Sequence, residues 1–174
     1  MKLWTLLAPF VILSAASAQE KIESAFGKKL GDAFDVKKAV GKGALTDGTP
    51  MFQFAPEKPF RSLKKYFVLV TPTTNKIYCI WAIGGAANTE AGKKEQAVIM
   101  ALLEKKYGAP VKPDLSDNLY DLKKIIQGER MVMTKVTGIT DVTLELRYWD
   151  FALKEVAEKE RIAIEAAKAG GDGL

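Results

Sequence analysis

The chain is 174 residues long, 48% hydrophobic and 27% charged, with a formal net charge of +5 at pH 7. That composition belongs to an ordinary globular domain and excludes a disordered or fibrous chain. There is no histidine and one cysteine. The commonest general base is therefore missing, and an intrachain disulfide, an all-cysteine zinc site and a CxxC redox pair are excluded.

The first 18 residues read as an address. Lys2 is a short positive region, Leu3 to Leu13 is an almost unbroken apolar run, and Ala16-Ser17-Ala18 is an A-x-A cleavage site. These are the three parts of a secretory signal peptide. The run is too short to span ~30 Å of hydrocarbon. Cleavage after Ala18 leaves a chain starting at Gln19, secreted or, in a cell with two membranes, periplasmic. The residue directly after the site is Gln19, not a cysteine that could carry a lipid, and no later run is long and apolar enough for a transmembrane segment. The expected organisation is a leader at 1–18, a single α+β domain at 19–168 and a flexible tail at 169–174.

Ile22, Phe26, Leu30 and Phe34 recur every fourth residue, as on one face of a helix. Gly27 and Gly31 interrupt the series, each costing ~1 kcal/mol in a helix interior, so a short strand at 26–30 competes. Residues 41–50 (GKGALTDGTP) read as a loop, and 51–54 as a short strand ended by Pro56 and Pro59. A strand from Lys64 to Val70, a turn at 71–75 and a strand at 76–83 (KIYCIWAI) form a hairpin. The second strand is apolar on both faces, which predicts a central, buried position.

After Gly84-Gly85, Asn88 or Thr89 is placed to cap a helix over 90–107. Gly108, Pro110 and Pro113 stop that helix, and a linker runs to Asn118. Residues 119–127 fit neither period. Residues 130–136 alternate as a strand, 137–141 form a turn, and 142–149 (VTLELRYW) alternate cleanly as a half-solvated antiparallel strand. Asp150 caps a last helix to about Lys168, with a stripe of Leu153, Val156, Ala157, Ile164 and Ala167. From Lys64 onward the order is ββα-ββα. The simplest packing is an antiparallel sheet of about four or more strands with two helices on one face.

No residue pattern in the chain supports catalysis, a metal or a cofactor. Cys79 sits inside a buried strand with no histidine to activate it. Ser62 makes only a bare S-x-K with Lys64. Residues 87–94 (ANTEAGKK) approach a phosphate loop but lack its first glycine and its last hydroxyl. Glu57, Glu145 and Asp150 show no spacing that selects a carboxylate pair. The lysine pairs are spread along the chain among acids, without the single stripe of a nucleic-acid interface. Tyr148 and Trp149 are consecutive in a strand and must face opposite sides of the sheet. One of them would be exposed on a helix-free face, where aromatic side chains make binding hot spots.

The runs TPTTNKIYCIWAIG, KKEQAVIMALLEKKYG and LELRYWDFALKEVAEKER, within residues 71–161, resemble a pattern found in small secreted bacterial proteins of uncharacterised families. Some hairpin-and-helix periplasmic proteins of this kind are inhibitors or immunity proteins that bind enzymes through a sheet face. The resemblance thus implies a non-enzymatic secreted or periplasmic protein acting by protein–protein contact on another envelope or secreted protein, such as an inhibitor. Trp149, Tyr148, Arg147 and Glu145 are the expected binding residues. Two alternatives are an envelope hydrolase using carboxylates and a structural protein of the cell wall or lipid surface, held there by its lysines.

Overall fold

The computed structural model describes residues 19–171. The expected leader and residues 172–174 lie outside the described residues. The chain opens with a two-residue hairpin, β1 (Ser24–Ala25) and β2 (Lys28–Lys29), and a short 3-10 turn at Val36–Lys38. Then come β3 (Gly41–Ala44), β4 (Pro50–Gln53), β5 (Leu63–Val70) and β6 (Ile77–Ala86). Helices α1 (Thr89–Tyr107) and α2 (Leu115–Leu119) lead to β7 (Leu122–Gln127), β8 (Arg130–Thr137), β9 (Val142–Asp150) and the last helix, α3 (Phe151–Gly171).

Strands β3 to β9 form one seven-stranded sheet in the order β3-β4-β5-β6-β9-β8-β7. All neighbours in it are antiparallel. It consists of two meanders. One walks from β3 inward to β6. Helices α1 and α2 then carry the chain to the far edge, and the second meander walks back from β7 until β9 closes against β6. The expected α+β antiparallel architecture holds, but the sheet has seven strands and β7 breaks the ββα-ββα order.

Asn88 starts α1 by accepting the Ala91 N–H (2.8 Å), and Gly108, at φ +98°, ends it. Ile99, Met100, Leu103 and Tyr107 of α1 pack on Ile80, Leu144, Leu146 and Val132 of the sheet. Val98 and Leu102, their neighbours in sequence, are exposed. Gly92 lets the helix approach closely, since a Cβ there would lie 3.0 Å from a Val136 methyl. Gln96, fully buried on the same helix, donates from its amide to the Asp121 and Thr134 carbonyls.

The four-residue spacing of Ile22, Phe26, Leu30 and Phe34 marks core contact, not a helix. Ile22, Leu30 and Phe34 are buried and Phe26 packs against the same cluster. The backbone reverses tightly there, with Phe26 at φ +56° and Gly27 at φ +79°. Gln127 ties this segment down. Its Oε1 accepts the Ile22 N–H, and its Nε2 donates to the Glu20 and Tyr107 carbonyls, each at 2.9 Å.

Helix α3 lies on the opposite side of the sheet from α1, which corrects the expectation of two helices on one face. Asp150 caps it, its Oδ1 accepting the Leu153 N–H (3.1 Å) while Oδ2 pairs with Arg130 (3.1 Å). Phe151 stacks on Trp149, so the helix starts on Trp149's side. Ala157 joins Leu69, Tyr78 and Cys79 in a second, smaller core. A register shift between β5 and β6 puts Leu69 opposite Cys79 but Val70 opposite Ile77. The extra residue is Tyr78, and the bulge lets it share a side with Cys79 instead of Ile80. Helix α3 continues to Gly171, so residues 169–171, expected in a loose tail, belong to the helix. Residues 41–44, expected in a loop, pair with β4 as the edge strand β3.

Candidate functional site: the sheet face away from helix α1

On the α3 side, the strand register sets side chains in rows across the sheet. The row under α3 is Met51, Leu69, Cys79, Trp149 and Met131. The next row is Gln53, Phe67, Trp81, Arg147, Met133 and Lys124. The third is Lys65, Ile83, Glu145, Lys135 and Leu122. The second and third rows lie beyond the small core under α3.

The second row centres on Trp81. Phe67 and Trp81 are half-buried with ring centroids 5.7 Å apart. The Arg147 guanidinium carbon sits 4.1 Å from the Trp81 ring centroid, a cation–π contact. Arg147 Nη2 lies 2.5 Å from Glu145 Oε2. That contact is an ion pair without hydrogen-bond alignment, because Glu145 Oε2 has no hydrogen-bond partner among the described residues. Trp81 Nε1 and Arg147 Nε are likewise buried donors without an acceptor. Buried polar atoms in folded proteins are mostly paired, so three unpaired ones in two adjacent rows mark this face, against one, Thr134 Oγ1, on the α1 side.

Its charge is lopsided. Lys65 is exposed and Lys135 lies 4.7 Å from the Tyr120 ring centroid. Neither makes an ion pair among the described residues. Lys124, at the end of the second row, is neutralised by Asp117 (2.8 Å). The face therefore offers Lys65, Lys135 and Arg147 against the single carboxylate Glu145.

Of the expected binding residues, Arg147 and Glu145 lie together on this face. Trp149 is one row away beneath α3, with Tyr78 at 6.1 Å and Lys154 at 5.4 Å from its ring. Tyr148 points the other way, into the α1-side core, 5% exposed. Burial holds its phenol well above the usual range. The sequence does not mark Trp81 as a surface residue, because its strand is apolar on both faces, and does not single out Phe67 at all. The clean alternation of β9 was the available signal, since it put Arg147 and Glu145 on the partly solvated side.

Elsewhere the titratable groups are structural. Cys79 is completely buried, and burial raises its thiol pKa so that it stays protonated. Glu95 is held below the usual carboxylate range by hydrogen bonds from Arg61 (2.7 and 2.9 Å). Asp117 is held low by Lys124, and Asp47 by hydrogen bonds from Thr49. Among the described residues no group of three or more cysteine or acidic side chains gathers to hold a metal ion. No described helix is long and apolar enough to cross a membrane. Compared with known proteins, the chain matches no family model, no curated protein and no solved structure.

Proposed function

We propose that this chain is a non-enzymatic secreted or periplasmic binding protein that holds another protein against the open face of its sheet. The observation that carries this reading is the Phe67–Trp81–Arg147 row, flanked by Lys65 and Lys135. Aromatic side chains fixed on a rigid sheet, with an arginine stacked on them, have the composition of interface hot spots. Three cations against one carboxylate favour a partner that presents acidic and apolar side chains together. The leader pattern at 1–18 supports the compartment, and an inhibitor or immunity role is the form this takes when the partner is an envelope enzyme.

The test is capture of partners from envelope and secreted fractions by the wild-type chain, run beside Arg147→Glu and beside Leu102→Asp on the far side of α1. The expected result is one saturable protein that the wild type and Leu102→Asp retain and Arg147→Glu loses. A partner retained by Arg147→Glu and lost by Leu102→Asp would move the interface to α1 and end this reading.

A further inference from the structure

Helix α3 leaves the sheet after Ala157. Ala157 is its last buried residue among those described, and Ile162 and Ile164 are 54% and 38% exposed. Between the departing helix and the sheet lies a groove of about 390 Å³. Its helix wall is one stripe, Lys154, Ala157, Arg161, Ile164 and Lys168, flanked by the acids Glu158 and Glu165. That stripe is about 21 Å long at the helical rise. The opposite wall is Leu69, Tyr78 and Trp149 from the sheet, with Leu45, Pro50 and Pro72 from the turns. The volume is within the ~300–1,000 Å³ of small-molecule sites, and its lining follows the helix for about four turns.

The groove is apolar along its floor and charged along its mouth. Arg161 is spoken for, paired to Glu158 and to Glu165 (3.0 Å). The Asp47 carboxylate accepts the Thr49 N–H (2.9 Å). Lys154 and Lys168 make no ion pair among the described residues. Two cations of the mouth, Lys154 and Lys168, thus have no ion-pair partner among the described residues, while Glu158 and Glu165 share Arg161 and Asp47, on the turn between β3 and β4, keeps its charge. Lys154 is the better placed, 5.4 Å from the ring of Trp149, which lines the groove.

We propose that this groove binds a linear amphiphile, a single acyl chain ending in an anionic head group. The chain lies along Leu69, Tyr78, Trp149 and Ala157 towards Ile164, and the head group sits at Lys154. The ligand chemistry is common to a free fatty acid and to a single-chain phospholipid. This site is separate from the open sheet face and does not depend on its role.

The experiment follows tryptophan emission of the full chain during titration with sodium dodecanoate below its micelle concentration. Dodecanol and dodecyl-chain lysophosphatidylglycerol run in parallel. The expected result is a saturable, one-to-one change that Trp149→Phe removes. Lys154→Gln weakens dodecanoate about tenfold, and Lys168→Gln leaves it within a factor of about two by the same scale. Dodecanol binds the wild type about as weakly as dodecanoate binds Lys154→Gln. Tighter binding of the lysolipid than of dodecanoate assigns the ligand to the phospholipid source, and the reverse assigns it to the free acid. Ala157→Phe fills the groove and abolishes binding. If that variant fails to fold, Ile164→Asp, at an exposed position, serves the same purpose. An unsaturable titration, equal binding of dodecanol and dodecanoate, or unchanged affinity in Ile164→Asp overturns the proposal.

Discussion

Strand β9 is two strands in one. Val142, Leu144, Leu146 and Tyr148 are at most 5% exposed and lie in the core beneath α1. Thr143, Glu145, Arg147 and Trp149, which alternate with them, are all half-buried on the other side. The difference comes from the two helices. Helix α1 sets a four-residue apolar stripe on the sheet, and the N-terminal segment fills the space beside it. Helix α3 starts where β9 stops and turns back over only one end of the strands. One side is a sealed core, and the other is a core at one end and a platform at the other. Stability and recognition are thereby separated along a single strand.

That separation is open to attack residue by residue. The largest loss is expected from the sealed side. Ile99→Ala leaves a cavity beneath α1 and costs about 2–5 kcal/mol, measured by chemical denaturation. Gln127→Leu is expected to cost about 1–3 kcal/mol, because it strands the Ile22 N–H and two carbonyls at once. The same denaturation series reads it, with hydrogen exchange reporting early release of residues 20–22. On the open side, Arg147→Ala is expected to cost about 1 kcal/mol, the low end of the cost of leaving the part-buried Glu145 carboxylate without its partner, while abolishing partner capture. A loss as large as that of Ile99→Ala would mean that Arg147 holds the fold.

The smallest effect is in the acid limb. Arg61 holds the Glu95 carboxyl below its unfolded range. The pair therefore contributes stability above the ordinary carboxylate range and loses it as pH falls through the depressed value. Glu95→Gln should flatten the stability–pH curve in that acid window and leave its slope near neutrality unchanged. A steeper acid limb in the variant would contradict the assignment.

Much of this architecture is legible in the chain. Asn88 and Gly108 bound α1 as their capping chemistry requires, Asp150 caps α3, and the alternation of 142–149 survives intact in β9. What escaped depends on long-range pairing. The run LKKIIQ at 122–127 carries two adjacent lysines and no clean period, yet pairs with β8 along its whole length. Residues 41–44 contain two glycines and become a strand only because β4 returns beside them. The side on which each helix lands is set by where the chain leaves the sheet, and no local pattern encodes it. Trp81 and Arg147 are 66 positions apart, and only the β6–β9 register sets them opposite each other. The Tyr78 bulge has no sequence mark, since the neighbouring residues are all apolar.

Recognition at this face requires the Trp81 row to be open and cationic, and tryptophan quenching tests that directly. In a chain with Trp4 and Trp149 both changed to phenylalanine, Trp81 is the sole tryptophan. Iodide and caesium are then compared as quenchers at equal, low ionic strength. The cations Lys65, Lys135 and Arg147 should draw iodide to the ring and repel caesium, so iodide quenches the more strongly, and the difference shrinks as salt is added. Quenching by neither ion would put Trp81 inside a sealed core, and stronger quenching by caesium would reverse the charge of the face. Either result would contradict the reading of this surface as a binding platform for an acidic partner.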